Sequence, residues 1–99
     1  MGTSEHHTGL AIDLVGTGYQ TLDEKQADTP EAKWLAEHAH EYGFILRYPE
    51  GKEQITGIIY ESWHFRYVGR TAAAFITENQ LCLEEFIELA KEQNRKKEP

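Results

Sequence analysis

Ninety-nine residues, 39% of them hydrophobic and 27% charged, suit one small folded domain and allow only a single modest core. A formal net charge of −7, with ten Lys and Arg against seventeen Asp and Glu, argues against a nucleic-acid partner, because phosphate contacts need a basic face. The single cysteine, Cys82, excludes an internal disulfide and a cysteine-rich structural zinc site, and no apolar run approaches the roughly 18 residues of a membrane span.

The start, Met1-Gly2-Thr3, lacks the basic region and apolar stretch of a secretory signal, so the chain reads as soluble and unaddressed. Leu10 to Val15 carries strand-forming residues and is entered through Gly9. Gly16-Thr17-Gly18 and the polar stretch to Asp28 read as a long loop. Thr29-Pro30-Glu31 is a helix start, with Thr29 as N-cap and Pro30 at the first helical position, where its missing N–H costs nothing. Trp34, Leu35, His38, Ala39 and Tyr42 then share one helical face, and Gly43 is placed to end the helix in the left-handed conformation.

Phe44 to Tyr48 reads as a second strand, broken by a turn at Pro49-Glu50-Gly51-Lys52. Ile55 to Tyr60 and Trp63 to Val68 are expected as two more strands, and Thr71 to Glu78 as a short helix. Cys82-Leu83-Glu84-Glu85 has the form of a capping box with cysteine in the usual Ser/Thr place. It opens a last helix with Leu83, Phe86, Ile87 and Ala90 as its apolar stripe. Lys91, Arg95, Lys96 and Lys97 read as a solvated helix end that complements the helix dipole. The order strand, helix, three strands, two helices predicts a single α+β domain over residues 1–99, a small antiparallel sheet with helices packed on one face.

Two stretches far apart carry chemistry: Ser4-Glu5-His6-His7-Thr8-Gly9-Leu10-Ala11-Ile12-Asp13 and Glu61-Ser62-Trp63-His64. A catalytic zinc takes three ligands of the His and Asp/Glu type, keeps a position open for water, and works with a nearby Glu that accepts the water's proton. His6, Asp13 and His64 can be the ligands and Glu61 the base. In a straight strand His6 and Asp13 would lie about 23 Å apart, far beyond ligand bonds of about 2 Å, so the chain must reverse between them, with Gly9 as the natural pivot. Residues three apart on a regular strand face opposite ways, so Ser62 and Trp63 must form a bulge or tight turn for Glu61 and His64 to converge. Arg66 lies two residues past His64 on the same strand face and can orient a carboxylate or pair within the sheet. Trp63 suits either a pocket wall or the core. His7, His38 and His40 read as non-ligands, and Cys82 as a helix cap or small buried residue.

The first stretch fits Ser-x-His-x-x-Gly-x-Ala-x-Asp at every specified position, and the second fits Glu-Pro-Trp-His with Ser62 in place of the proline. These resemble the D-alanyl-D-alanine carboxypeptidases of the vancomycin-resistance (VanY-like) type, in the superfamily of lysostaphin-like peptidases and the hedgehog signalling domain. The likeness continues through Trp34-Leu35-Ala36-Glu37, Tyr42-Gly43-Phe44-Ile45-Leu46-Arg47-Tyr48-Pro49 and His64-Phe65-Arg66-Tyr67-Val68-Gly69.

The resemblance implies one Zn2+ per chain and a zinc-dependent D,D-carboxypeptidase acting on peptidoglycan stem peptides that end in D-Ala-D-Ala, with Glu61 as general base and Ser4 near the substrate. It leaves open an L,D-carboxypeptidase or endopeptidase on the same peptide, or a zinc-binding domain with impaired catalysis. It also implies a cell-envelope setting, which the unaddressed start does not support, and the expected state is a monomer. The relatives carry a helical segment before the first motif, so the chain is expected to be a truncated or engineered core, or an unusually short relative.

Overall fold

A computed structural model describes residues 10–97 of the chain. Three short strands, β1 (Ala11–Asp13), β2 (Phe44–Leu46) and β3 (His64–Tyr67), form one antiparallel sheet in the order β1-β3-β2. Around it lie α1 (Pro30–His38), the single-turn α2 (Glu53–Thr56), α3 (Arg70–Glu78) and α4 (Leu83–Lys97), with 3-10 turns at Glu24–Asp28 and Ala39–Tyr42. This is the α+β arrangement that the element order predicts.

The register fixes which side chains share a face. Asp13 lies opposite His64 and Ala11 opposite Arg66, while Ile45 of β2 also faces Arg66. These five residues therefore project from one face of the sheet, and Ile12, Phe65, Leu46, Phe44 and Tyr67 from the other. Ile45 joins Ala73 and Ile76 of α3 and Leu83 of α4 in the buried core, with Val68, Leu81 and Phe86 packed against it. Phe65, at the centre of the middle strand, is fully buried.

Local signals set most boundaries. Thr29 caps α1, its Oγ1 accepting the N–H of Ala32 at 3.1 Å, with Pro30 leading the helix. The helix runs regularly only to His38 and tightens into the 3-10 turn, which Gly43 closes with φ of 88°. A Cβ at Gly43 would sit 2.6 Å from Cε1 of Tyr67, so both the angle and the space demand glycine. Cys82 opens α4 as half of a capping box: its backbone N–H donates to Oε1 of Glu85 at 2.9 Å, while its own side chain is buried.

Two expectations are corrected. Ile55 to Tyr60 is not a strand: α2 occupies its start, and Gly57, with φ of 78°, caps that turn by donating to Glu53 O. Thr56 Oγ1 then both accepts from Ile58 N and donates to Ile58 O, holding the following residues in a local loop. The β-branched run there is not driven by burial, since Ile59 is 73% exposed. The shared face on α1 is buried only in part: Ala39 is buried, but Trp34 is 48% and Tyr42 60% exposed, and Ala32 off that face is buried as well. Trp34 stacks on His38 at the surface instead, with ring centroids 4.5 Å apart.

The loop after β1 is organised by Gln26, a fully buried polar residue. Its Oε1 accepts Gly16 N at 2.7 Å, and its Nε2 donates to Tyr19 O at 3.0 Å and Thr21 O at 2.9 Å. Replacing Gln26 with Ala removes these three hydrogen bonds and the longer one from Thr29 Oγ1 at 3.4 Å, so the unfolding free energy is expected to fall by about 3 kcal/mol in a urea titration. A loss below about 1 kcal/mol would contradict the assignment of Gln26 as the loop's organiser.

The Cys82 N–H and then the Lys52 ammonium hold the Glu85 carboxyl below the usual carboxylate range. A depressed folded-state value means that this group stabilises the fold above its unfolded value of about 4.3, and that the gain is lost as pH falls through the folded value. The Tm difference between wild type and Glu85→Gln should therefore shrink between pH 7 and about pH 3. A difference constant across that range would refute it.

Candidate functional site

The β1–β3 register brings together two of the residues singled out by sequence. Asp13 and His64 are directly opposed across the strands, with Oδ1 of Asp13 3.2 Å from Nδ1 of His64. His64 is only 3% exposed, while Asp13 is about one-third open to solvent. The ladder continues on both sides of the pair, from Leu14 N to Trp63 O at 2.8 Å and from Tyr67 N to Leu10 O at 2.7 Å. The two side chains are thus set by backbone pairing.

Behind His64 stands Tyr48, a buried ring whose centroid is 5.1 Å from that of the imidazole. The sequence reading placed Tyr48 at the end of a strand and missed its contact with the site. Its position two residues beyond β2, across from the start of β3, is the signal that only the pairing reveals. Arg47 lies over the Tyr48 ring at 4.9 Å and grips both carboxylate oxygens of Glu84 at 2.9 Å each through Nη1. The start of α4 is thereby tied to the residues that back His64.

Glu61 is tied by its backbone to the residue that stands behind His64. Its backbone N–H donates to Tyr48 O at 3.0 Å, and the chain then turns through Ser62 and Trp63 before entering β3 at His64. Trp63 is half-buried and its carbonyl accepts from Leu14. Arg66 follows on the same sheet face as His64 and Asp13, also half-buried. Next to Glu61, burial first, and then the charges of Glu50 and Asp28, push the Tyr60 phenol up.

His6 and Ser4 lie outside the described residues, as does the predicted reversal at Gly9. Among the described residues, no third His, Cys, Asp or Glu joins Asp13 and His64 in a group able to hold a metal ion. The pair itself fits one. Two ligands at about 2.0–2.2 Å on adjacent corners of a tetrahedron stand about 3.3–3.5 Å apart, close to the 3.2 Å seen here, and an imidazole with a carboxylate is a donor set that zinc accepts.

Residues 1–70 match the family described as VanY: D-alanyl-D-alanine carboxypeptidase. A D-alanyl-D-alanine carboxypeptidase of Enterococcus faecium is 47% identical over 92 residues, covering 93% of this chain and 29% of that protein. The solved LdcB LD-carboxypeptidase superposes with a TM-score of 0.81 at 49% identity, over 88% of this chain and 41% of its own. A vancomycin-resistance D,D-pentapeptidase VanY in complex with Zn(II) superposes with a TM-score of 0.71 at 44% identity, over 87% of this chain and 46% of its own. The chain spans about a third of the length of the curated relatives that resemble it over their best-matched region. With the family match covering well over half of its residues, the chain belongs to the VanY D-alanyl-D-alanine carboxypeptidase family.

Proposed function

We propose that this chain is the catalytic core of a zinc-dependent carboxypeptidase that removes the terminal D-alanine from peptidoglycan stem peptides in the bacterial cell envelope. His6, Asp13 and His64 would hold one zinc ion. Bound there, zinc supplies Lewis-acid polarisation of the scissile carbonyl and makes a water molecule acidic enough to react near neutral pH. Glu61, whose backbone is anchored on Tyr48, takes the proton from the attacking water and returns it to the leaving amine. Arg66, on the sheet face of His64, orients the substrate's terminal carboxylate, Trp63 lines the pocket, and Ser4 hydrogen-bonds the peptide. The observation that carries this reading is the 3.2 Å approach of Asp13 to His64 across β1 and β3.

A second reading keeps the site and changes the bond. LdcB, an LD-carboxypeptidase, superposes at 49% identity beside the D,D-pentapeptidase at 44%, so the same fold also serves cleavage after the L-centre of a tetrapeptide. Incubation with defined penta- and tetrapeptide muropeptides, followed by mass spectrometry, separates the two. D-alanine released from the pentapeptide supports the first reading, and release from the tetrapeptide alone supports the second. Release from neither by zinc-loaded protein would sink both.

Glu61→Gln is expected to keep one zinc per chain while kcat falls about 10²–10⁴-fold, the usual worth of a positioned proton carrier. His64→Ala should lose stoichiometric zinc, as read by metal analysis after dialysis. Chelation of the wild type should lower Tm by 10 °C or so, because an ion at about 100 times its Kd adds about 2.7 kcal/mol to the folded state alone. An unchanged Tm would contradict metal-linked stability.

A further inference from the structure

The turn that carries Glu61 and His64 contains an unusual residue. Ser62 is 5% exposed, and its Oγ is sealed from solvent with no hydrogen-bond partner. Its neighbours are both anchored: Glu61 N–H donates to Tyr48 O on the β2 side, and Trp63 O accepts Leu14 N on the β1 side. Among the described residues, Ser62 N–H makes no backbone hydrogen bond. The midpoint of the turn is therefore held by neither its backbone N–H nor its side chain, while its flanks are tied to different strands.

A buried hydroxyl without a partner incurs the cost of its lost hydration, roughly 1–3 kcal/mol. Because Oγ is closed to solvent, a substrate cannot reach it to supply the missing bond, which rules out a direct role in recognition. The cost falls on the turn itself. It favours conformations in which Ser62 swings out to water, and these carry His64 away from its place beside Asp13 and move Glu61 with it. A ligand that binds only the closed form then binds more weakly, in proportion to the fraction of chains that are closed.

We infer that Ser62 is a positioning residue: its unpaired hydroxyl loosens the Glu61–His64 turn and sets the affinity of the site for its metal. The inference rests on His64 serving as a zinc ligand, as proposed above. Two substitutions relieve the defect by different routes. Ser62→Ala removes the hydroxyl. Ser62→Pro removes it too, fixes φ near −65°, and biases Glu61 toward extended backbone without sacrificing a backbone hydrogen bond.

The test is zinc affinity by competition with a chromophoric chelator, measured beside Tm in the zinc-free protein. Each variant is expected to bind zinc about fivefold more tightly or better, and its zinc-free Tm should rise by about 4–8 °C, the shift that about 1 kcal/mol produces in a domain of this size. A residue that merely packs would raise Tm and leave zinc affinity unmoved, so affinity within twofold of wild type in both variants overturns the inference. Weaker binding by Ser62→Ala overturns it too, since the hydroxyl would then be supporting the site. Should Ser62→Pro fail to fold, Ser62→Ala alone decides. His64→Ala serves as the control: if it binds zinc as wild type does, the metal-site reading fails. If it loses zinc while the Ser62 variants change nothing, only the role of Ser62 falls.

Discussion

The antiparallel pairing of β1 with β3 is the constraint on which the site depends. Side chains on a strand alternate faces, so a slip of one residue would put Asp13 and His64 on opposite sides of the sheet. The register is held against such a slip by hydrogen bonds on either side of the pair, Leu14 to Trp63 and Tyr67 to Leu10. It is held as well by what the faces bury. A shift would bring fully buried Phe65 to the opposite face and leave the place it fills empty, a loss of several kcal/mol for an aromatic of that size.

Three-residue strands cannot hold themselves together, and here helices and loops do much of the holding. Ile45 sinks β2 into the α3–α4 core, and the two-pronged contact of Arg47 with Glu84 fixes the end of β2 to the start of α4. From there the chain of contacts runs through the Arg47 guanidinium over Tyr48, through the Tyr48 ring to His64, and through the Tyr48 carbonyl to Glu61. One residue thus backs a ligand-type side chain with its ring and anchors a base-type residue with its backbone. The arrangement places the rigid support behind β3 and leaves Asp13 as the exposed half of the pair.

What the sequence disclosed and what it hid divide along the range of the interactions. Thr29 and Pro30, Gly43, and the Cys82–Glu85 box act within a few residues of themselves, and each appears where its local chemistry puts it. Ile55 to Tyr60 misled because a β-branched run looks the same whether a sheet awaits it or not, and the bonds of Gly57 and Thr56 settle the matter locally in favour of a turn. Trp34 and Tyr42 misled because helical spacing defines a face without saying whether that face turns inward, and the switch to a 3-10 turn at Ala39 breaks the spacing as well. Gln26 was unreadable as anything but loop, since its partners lie five, seven and ten residues upstream. For the site, residue types and order were legible and the geometry was not: nothing local says that Asp13 will face His64, or that Tyr48 will stand behind it.

The same geometry bears on how the small sheet could be secured. β1 lies at an edge, its pairing among the strands is with β3 alone, and Ile12 and Leu14 beside Asp13 remain partly open to solvent. Among the described residues, Ala11 is the buried side chain that β1 contributes. A divalent ion shared by Asp13 and His64 would add a cross-strand link to the backbone bonds and the Asp13–His64 contact that hold β1. Binding free energy spent there acts on an edge strand, so ion and register support each other: the pairing creates the donor spacing, and the ion, once held, resists the slip that would destroy it.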